Sequence, residues 1–132
     1  MLVPFACVIV GSLLPYVWGI VDDLERRKTL GGRDDHHPRV QAQKLEGRAA
    51  RALGASQNAF EGVPIFAAAV LMCAFAGAAG TAVTAVSVVW VVVRFLHGFA
   101  YLGDNPKLRG PMFGLGALSN LALMGMAIRA LI

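Results

Sequence analysis

The chain has 132 residues, a formal net charge of +4, 57% hydrophobic residues and a mean hydropathy of +0.62. Charged residues make up 15%, against about 25% in soluble domains. That excludes an ordinary soluble protein and leaves room for one membrane domain, residues 1–132. The basic residues flank apolar segments rather than forming a stripe, so they read as topology signals and nucleic-acid binding is excluded.

Met1 to Ile20 carries no charge, and the first acid is Asp22. The stretch lacks a basic start and a small-residue cleavage site, so it reads as a membrane helix rather than a signal peptide. Its polar end continues to about residue 28. Thr29–Leu45 contains Gly31-Gly32, Asp34-Asp35, His36-His37 and Pro38, and reads as a solvated loop. His36 and His37 beside the two aspartates are metal-ligand types, but no defined spacing supports a metal site.

Gly62–Val93 is an uncharged run of 32 residues, too long for one crossing. Small residues at Gly77-Ala78-Ala79-Gly80-Thr81 place the break, which predicts helices over 46–77 and 81–103. Asp104-Asn105-Pro106 ends the second of these. Gly110–Ile128 gives a fourth crossing, within a helix over 108–131. Strand-like alternation is absent, so the expected class is all-α, an integral membrane four-helix bundle. Cys7 and Cys73 both lie in apolar runs and read as small packing residues. Ala67, Ala68, Ala69, Ala74, Gly77 and Ala78 suit close helix packing.

Arg26, Arg27, Lys28, Arg33, Arg39, Lys44 and Arg48 cluster around the first loop, with Lys107 and Arg109 in the third and no basic residue in the second. The first and third loops are therefore expected in the cytoplasm.

Ionisable and amide groups inside such sequence are costly and usually face a protein interior or a site. On the second crossing Arg51, Asn58 and Glu61 recur at intervals of seven and three, on one helical face, with Gly54 leaving space on the same stripe. On the third, Arg94, His97 and Tyr101 recur at three and four. Antiparallel topology brings both faces to the same depth, and Arg109 joins from the fourth crossing. Three cations, one carboxylate, an amide, a phenol and an imidazole suit an anionic ligand that carries carboxylates and an amine. Pro64 is expected to kink the second crossing and free a backbone carbonyl near the site. Each residue also has a plain structural reading. Glu61 can pair with an arginine, Asn58 can join helices, His97 can be a packing residue, Tyr101 an interface anchor and Arg109 a topology charge.

The segment RALGASQNAFEGVP, with Arg51, Asn58, Glu61 and Pro64, resembles the second-helix signature of the MAPEG family, the membrane-associated proteins in eicosanoid and glutathione metabolism. Arg94-x2-His97-x3-Tyr101 followed by Arg109 resembles the family's other signature, as in microsomal prostaglandin E synthase and microsomal glutathione transferase. The resemblance covers nearly the whole chain. It implies a homotrimer that binds glutathione between subunits near the cytoplasmic face, and a thiolate that attacks a lipophilic small-molecule substrate delivered by membrane lipids. By the same resemblance Asn58 and Glu61 bind the glutathione backbone. Arg51, His97 and Tyr101 belong to the same pocket, Arg94 supports it, and Arg109 stabilises the thiolate as the catalytic residue. Arg26 or Arg27, preferably Arg27, would reach the neighbouring subunit's ligand. The chain departs from the pattern at Gly54 and Gln57, where the eicosanoid enzymes commonly carry arginine. It departs again at Gly110 and Phe113, where the prostaglandin synthase has serine and tyrosine. The short, alanine- and valine-rich sequence resembles bacterial members, which implies the inner membrane.

Three functions follow in order. The first is a membrane-bound, glutathione-dependent transferase or peroxidase for lipophilic electrophiles. The second is a non-catalytic membrane protein that binds a lipid headgroup or another anionic ligand through the same face. A small transporter comes third, since no internal repeat supports alternating access.

Overall fold

Hydrophobic run length dictates the architecture. In the computed structural model, which describes all 132 residues, the chain forms five helices and no strands. These are α1 (Leu2–Leu30), α2 (Pro38–Ala42), α3 (Gly47–Phe75), α4 (Thr81–Leu102) and α5 (Pro106–Ala130). All but α2 are long and apolar enough to cross a membrane. The shortest of the four, α4, has 22 residues, which at ~1.5 Å per residue covers a bilayer core of about 30 Å. The break between α3 and α4 falls where the small residues place it. Gly77 and Gly80 take φ of 69° and 128°, which side chains resist.

The first loop differs from the expectation of a plain solvated loop. α1 runs two residues past 28, ending at Gly31 in the left-handed conformation, and the loop contains α2. Pro38 starts α2 because a first-turn residue needs no N–H partner. Gln41 then folds the loop back. Its Nε2 donates to the Gly32 carbonyl at 2.8 Å, and its Oε1 accepts from Asp34 N at 3.1 Å and Arg26 Nη1 at 3.3 Å. The His37 and His36 N–H groups both donate to Asp34 Oδ1 at 2.9 Å and hold that carboxyl below its ordinary range. No three His, Cys, Asp or Glu side chains gather anywhere in the chain.

Small residues let the helices approach. Ala52, Ala55 and Ala59 are buried along one stripe of α3, in a cluster with Leu14 and Trp18 of α1 and Leu102 of α4. Beside this stripe Ser56 Oγ donates a hydrogen bond to the Pro15 carbonyl at 3.1 Å, and Ala69 is buried further along α3 in a cluster with Cys7 of α1. A second cluster holds Cys7, Phe66, Cys73, Trp90 and Leu123. There Phe66 and Trp90 stack with centroids 3.9 Å apart, and the Cys73 thiol donates to the Leu123 carbonyl at 3.2 Å. Both cysteines are free and buried.

Ion pairs tie the loop ends together. Glu25 at the end of α1 meets Arg48 at the start of α3 at 3.3 Å, and Arg51 meets Asp104 after α4 at 3.4 Å. The first and third loops therefore lie at the same end of the bundle, as the charge pattern requires. Outward-facing Leu2, Phe75, Leu118 and Leu121 stay exposed, a surface suited to lipid rather than water.

Candidate functional site

One turn of α3 separates Asn58 from Glu61, so both face the same gap between helices. α4 sends Arg94 into that gap, and α5 closes it with Phe113, Gly116, Ala117 and Asn120. The result is a cavity of about 190 Å³. Arg94 is buried, and its Nη2 donates to both the Asn58 backbone carbonyl and Asn58 Oδ1, the latter at 3.1 Å. The guanidinium can lie there because residue 62 is glycine, where an added Cβ would sit 2.9 Å from Nη2. The carbonyl engaged near the site is thus that of Asn58. Pro64 sits inside the continuous α3 and has no N–H to offer the Phe60 carbonyl one turn earlier. Glu61 takes part in none of the ion pairs of the chain, so its carboxylate is open to a ligand.

Beside the cavity, His97, Tyr101 and Arg109 form a second group. The Arg109 guanidinium lies 4.6 Å from the Tyr101 ring centroid, a cation over a π face. His97 meets Tyr101 edge-on at 5.7 Å and Phe113 at 6.1 Å. Phe113 also lines the cavity, which makes it the shared wall between the two groups. Gly54 does not leave empty space, as the sequence reading expected, because the phenol of Tyr101 fills it. An added Cβ at residue 54 would fall 2.7 Å from the Tyr101 hydroxyl and 2.8 Å from Cζ. Gly54→Leu is therefore expected to displace Tyr101 and destabilise the fold by about 1–3 kcal/mol, read as a lower thermal midpoint. An unchanged midpoint would mean that Tyr101 is not seated on Gly54.

A family model described as the MAPEG family matches residues 3–129, almost the full length. The chain belongs to the MAPEG family. With four spanning-length helices, it is an integral membrane protein of that family, whose members include glutathione transferases and related enzymes. No curated protein and no solved structure gives a match.

Against the MAPEG motifs, His97, Tyr101 and Arg109 lie beside the cavity rather than in its lining, and Arg51 and Arg27 stand apart from both groups. Arg51 shares the stripe of Asn58 and Glu61, but it lies about 10 Å further along α3 and pairs with Asp104 instead. Arg27 points outward from α1, exposed and paired only with Asp23 at 2.8 Å. Its neighbour Arg26 is buried and locked to Asp22 and Gln41. Asn120, Gly62 and Trp90 were missed at the cavity. Asn120 was legible as a lone amide in an apolar run, whereas Gly62 and Trp90 carried no signal that separates them from packing residues.

Proposed function

We propose that this MAPEG protein is a glutathione-dependent transferase or peroxidase acting on lipophilic electrophiles, assembled as a homotrimer. The observation that carries the reading is the pairing of a fixed amide with a free carboxylate. Arg94 holds Asn58 in place, and the Glu61 carboxylate, near enough to feel the Arg94 charge, makes no hydrogen bond or ion pair. An unpaired carboxylate next to an oriented amide suits the peptide amides and ammonium of glutathione.

A cavity of about 190 Å³ is smaller than the ~300–1,000 Å³ of most small-molecule sites. The tripeptide would therefore lie across its mouth, with α1 of a neighbouring subunit as the other wall. Arg27 is the basic residue better placed to reach across, since it is exposed and held only by a surface pair with Asp23, whereas Arg26 is buried and bonded to Asp22 and Gln41. His97 and Tyr101 would shape the rim and Arg51 would add positive charge at its outer edge. The distribution of basic residues supports a cytoplasmic placement of this end of the bundle, and the alanine- and valine-rich composition, similar to bacterial members, supports a bacterial inner membrane.

Arg109 would stabilise the thiolate, because a fixed cation near a thiol lowers its pKa. In conjugation the sulfur attacks an electrophilic carbon, the C–S bond forms, and the leaving group departs with its electron pair. In peroxide reduction the sulfur attacks oxygen and the O–O bond breaks. An alcohol leaves, and a second glutathione converts the sulfenic acid to disulfide and water. The test is conjugation of glutathione to chlorodinitrobenzene by the protein in lipid nanodiscs. Arg109→Leu is expected to lower turnover about a hundredfold and to remove the ultraviolet thiolate signal, with glutathione still bound. Turnover absent in the parent protein, or unchanged in Arg109→Leu, would contradict the proposal.

A second reading draws on Gly54, Gln57, Gly110 and Phe113. With Tyr101 seated on Gly54, no cation can stand there, and the same cavity would serve a non-catalytic protein that holds a lipid headgroup or another anion. Binding without turnover would favour it.

A further inference from the structure

Asn120 is a buried polar group in the lining of the cavity. It is 8% exposed, and its Oδ1 is buried without any hydrogen-bond partner. Asparagine in a membrane helix commonly joins neighbouring helices, but this oxygen joins nothing. A buried, unpaired acceptor carries a desolvation cost that a bound donor removes.

Its surroundings limit what that donor can be. Gly116 lies against the Arg94 side chain, where an added Cβ would be 3.4 Å from Cδ and 4.0 Å from Trp90 Nε1. Asn120 is one helical turn further along α5, about 6 Å deeper. There the walls are Trp90, Ile65 and Ala117. An anion finds its charged donor above, at Arg94, whereas the group left unpaired at the floor is an acceptor, Asn120 Oδ1. A cation placed in the floor lies beneath the guanidinium of Arg94. A neutral molecule with an apolar body and one O–H or N–H fits both the walls and the oxygen.

We propose that the floor of this cavity is a subsite for a small apolar molecule bearing a hydroxyl or N–H group, with Asn120 as its hydrogen-bond acceptor. In a glutathione-dependent enzyme this would be the donor-bearing end of the lipophilic substrate, and that assignment rests on the function proposed above. The subsite itself does not depend on glutathione.

Phenol and toluene are matched probes, equal in heavy atoms and different in one hydroxyl. The chain has three asparagines, so labelling them with nitrogen-15 gives few side-chain amide signals, and Asn120→Leu identifies that of Asn120. Phenol is expected to shift this signal saturably and to bind about tenfold more tightly than toluene. In Asn120→Leu the preference disappears while glutathione affinity and thermal midpoint are retained. Should Asn120→Leu fail to fold, Ile65→Trp fills the floor from the opposite wall, and phenol binding is then expected to vanish with Asn120 intact. Equal binding of the two probes by the parent protein would overturn the proposal, because a water molecule would then be enough for Asn120. No phenol shift at all would also overturn it, as when a neighbouring subunit supplies the donor. Either result leaves the glutathione titration untouched, and a failed glutathione titration leaves the phenol result untouched.

Discussion

Arg94→Met is expected to lower turnover about a hundredfold while leaving the bundle folded. Two terms oppose each other in stability. The substitution loses two charge-assisted hydrogen bonds to Asn58, each worth about 1.5–3 kcal/mol. It also removes a buried guanidinium, whose placement in a membrane costs roughly 2.5–3.5 kcal/mol on insertion scales. The net change in stability is expected to be a loss of at most about 3.5 kcal/mol. Function has no such compensation. Asn58 loses what orients it, and displacement of a binding group by about an ångström can cost a hundredfold in rate. Turnover of chlorodinitrobenzene should fall by about that factor, and Arg94→Lys should restore the charge but little activity, since an ammonium lacks the reach of the guanidinium fork. Full activity in Arg94→Met would mean that Asn58 needs no tether.

Gly98→Ala is expected to damage the fold rather than the site. An added Cβ would lie 2.3 Å from both Cε2 and Cζ2 of Trp18 and 2.7 Å from Nε1. Trp18 has nowhere to go, being buried in the cluster of Leu14, Ala52 and Ala55 and edge-on to Phe99 at 5.2 Å. Alanine gains about 1 kcal/mol of helix propensity over glycine. Overpacking a closed contact costs about 1–3 kcal/mol and sometimes more, and a 2.3 Å approach lies at the severe end. The net expectation is a loss of about 2 kcal/mol, seen as a lower unfolding midpoint. Gly125→Ala is the control, because nothing lies within 4 Å of its Cβ, and it should be neutral or stabilising. Combining Gly98→Ala with Trp18→Phe should recover much of the loss, a coupling that a double-mutant cycle isolates. A stabilised Gly98→Ala would show that α1 and α4 do not meet at this glycine.

Hydropathy made the four crossings legible because run length against bilayer thickness is a one-dimensional quantity. The turn at Gly77–Gly80 was legible for the same reason, since only small residues interrupt the run there. Helix α2 was not, because five residues carry too little periodicity, and its stability comes from Gln41 contacts distant in sequence.

The candidate site was legible in azimuth and not in depth. A helical stripe puts Arg51, Asn58 and Glu61 on one face, yet seven residues of rise separate Arg51 from the cavity and hand it to Asp104. Gly54 shows the converse limit. A glycine on a polar stripe signals close approach, but the sequence does not say that Tyr101 is what approaches. Asn120 was legible as a lone amide in an apolar run, but the sequence did not say which gap between helices it faces. The choice between Arg26 and Arg27 needed the loop fold, because Gln41 captures only one of them.

The account depends on Asn58 and Glu61 acting together at one cavity as a ligand site. Calorimetric titration of glutathione into the protein in lipid nanodiscs tests this most directly. Saturable binding in the millimolar range or below is expected, weakened at least about tenfold in Glu61→Gln. No saturable heat from the parent protein, or equal affinity in Glu61→Gln, would contradict it.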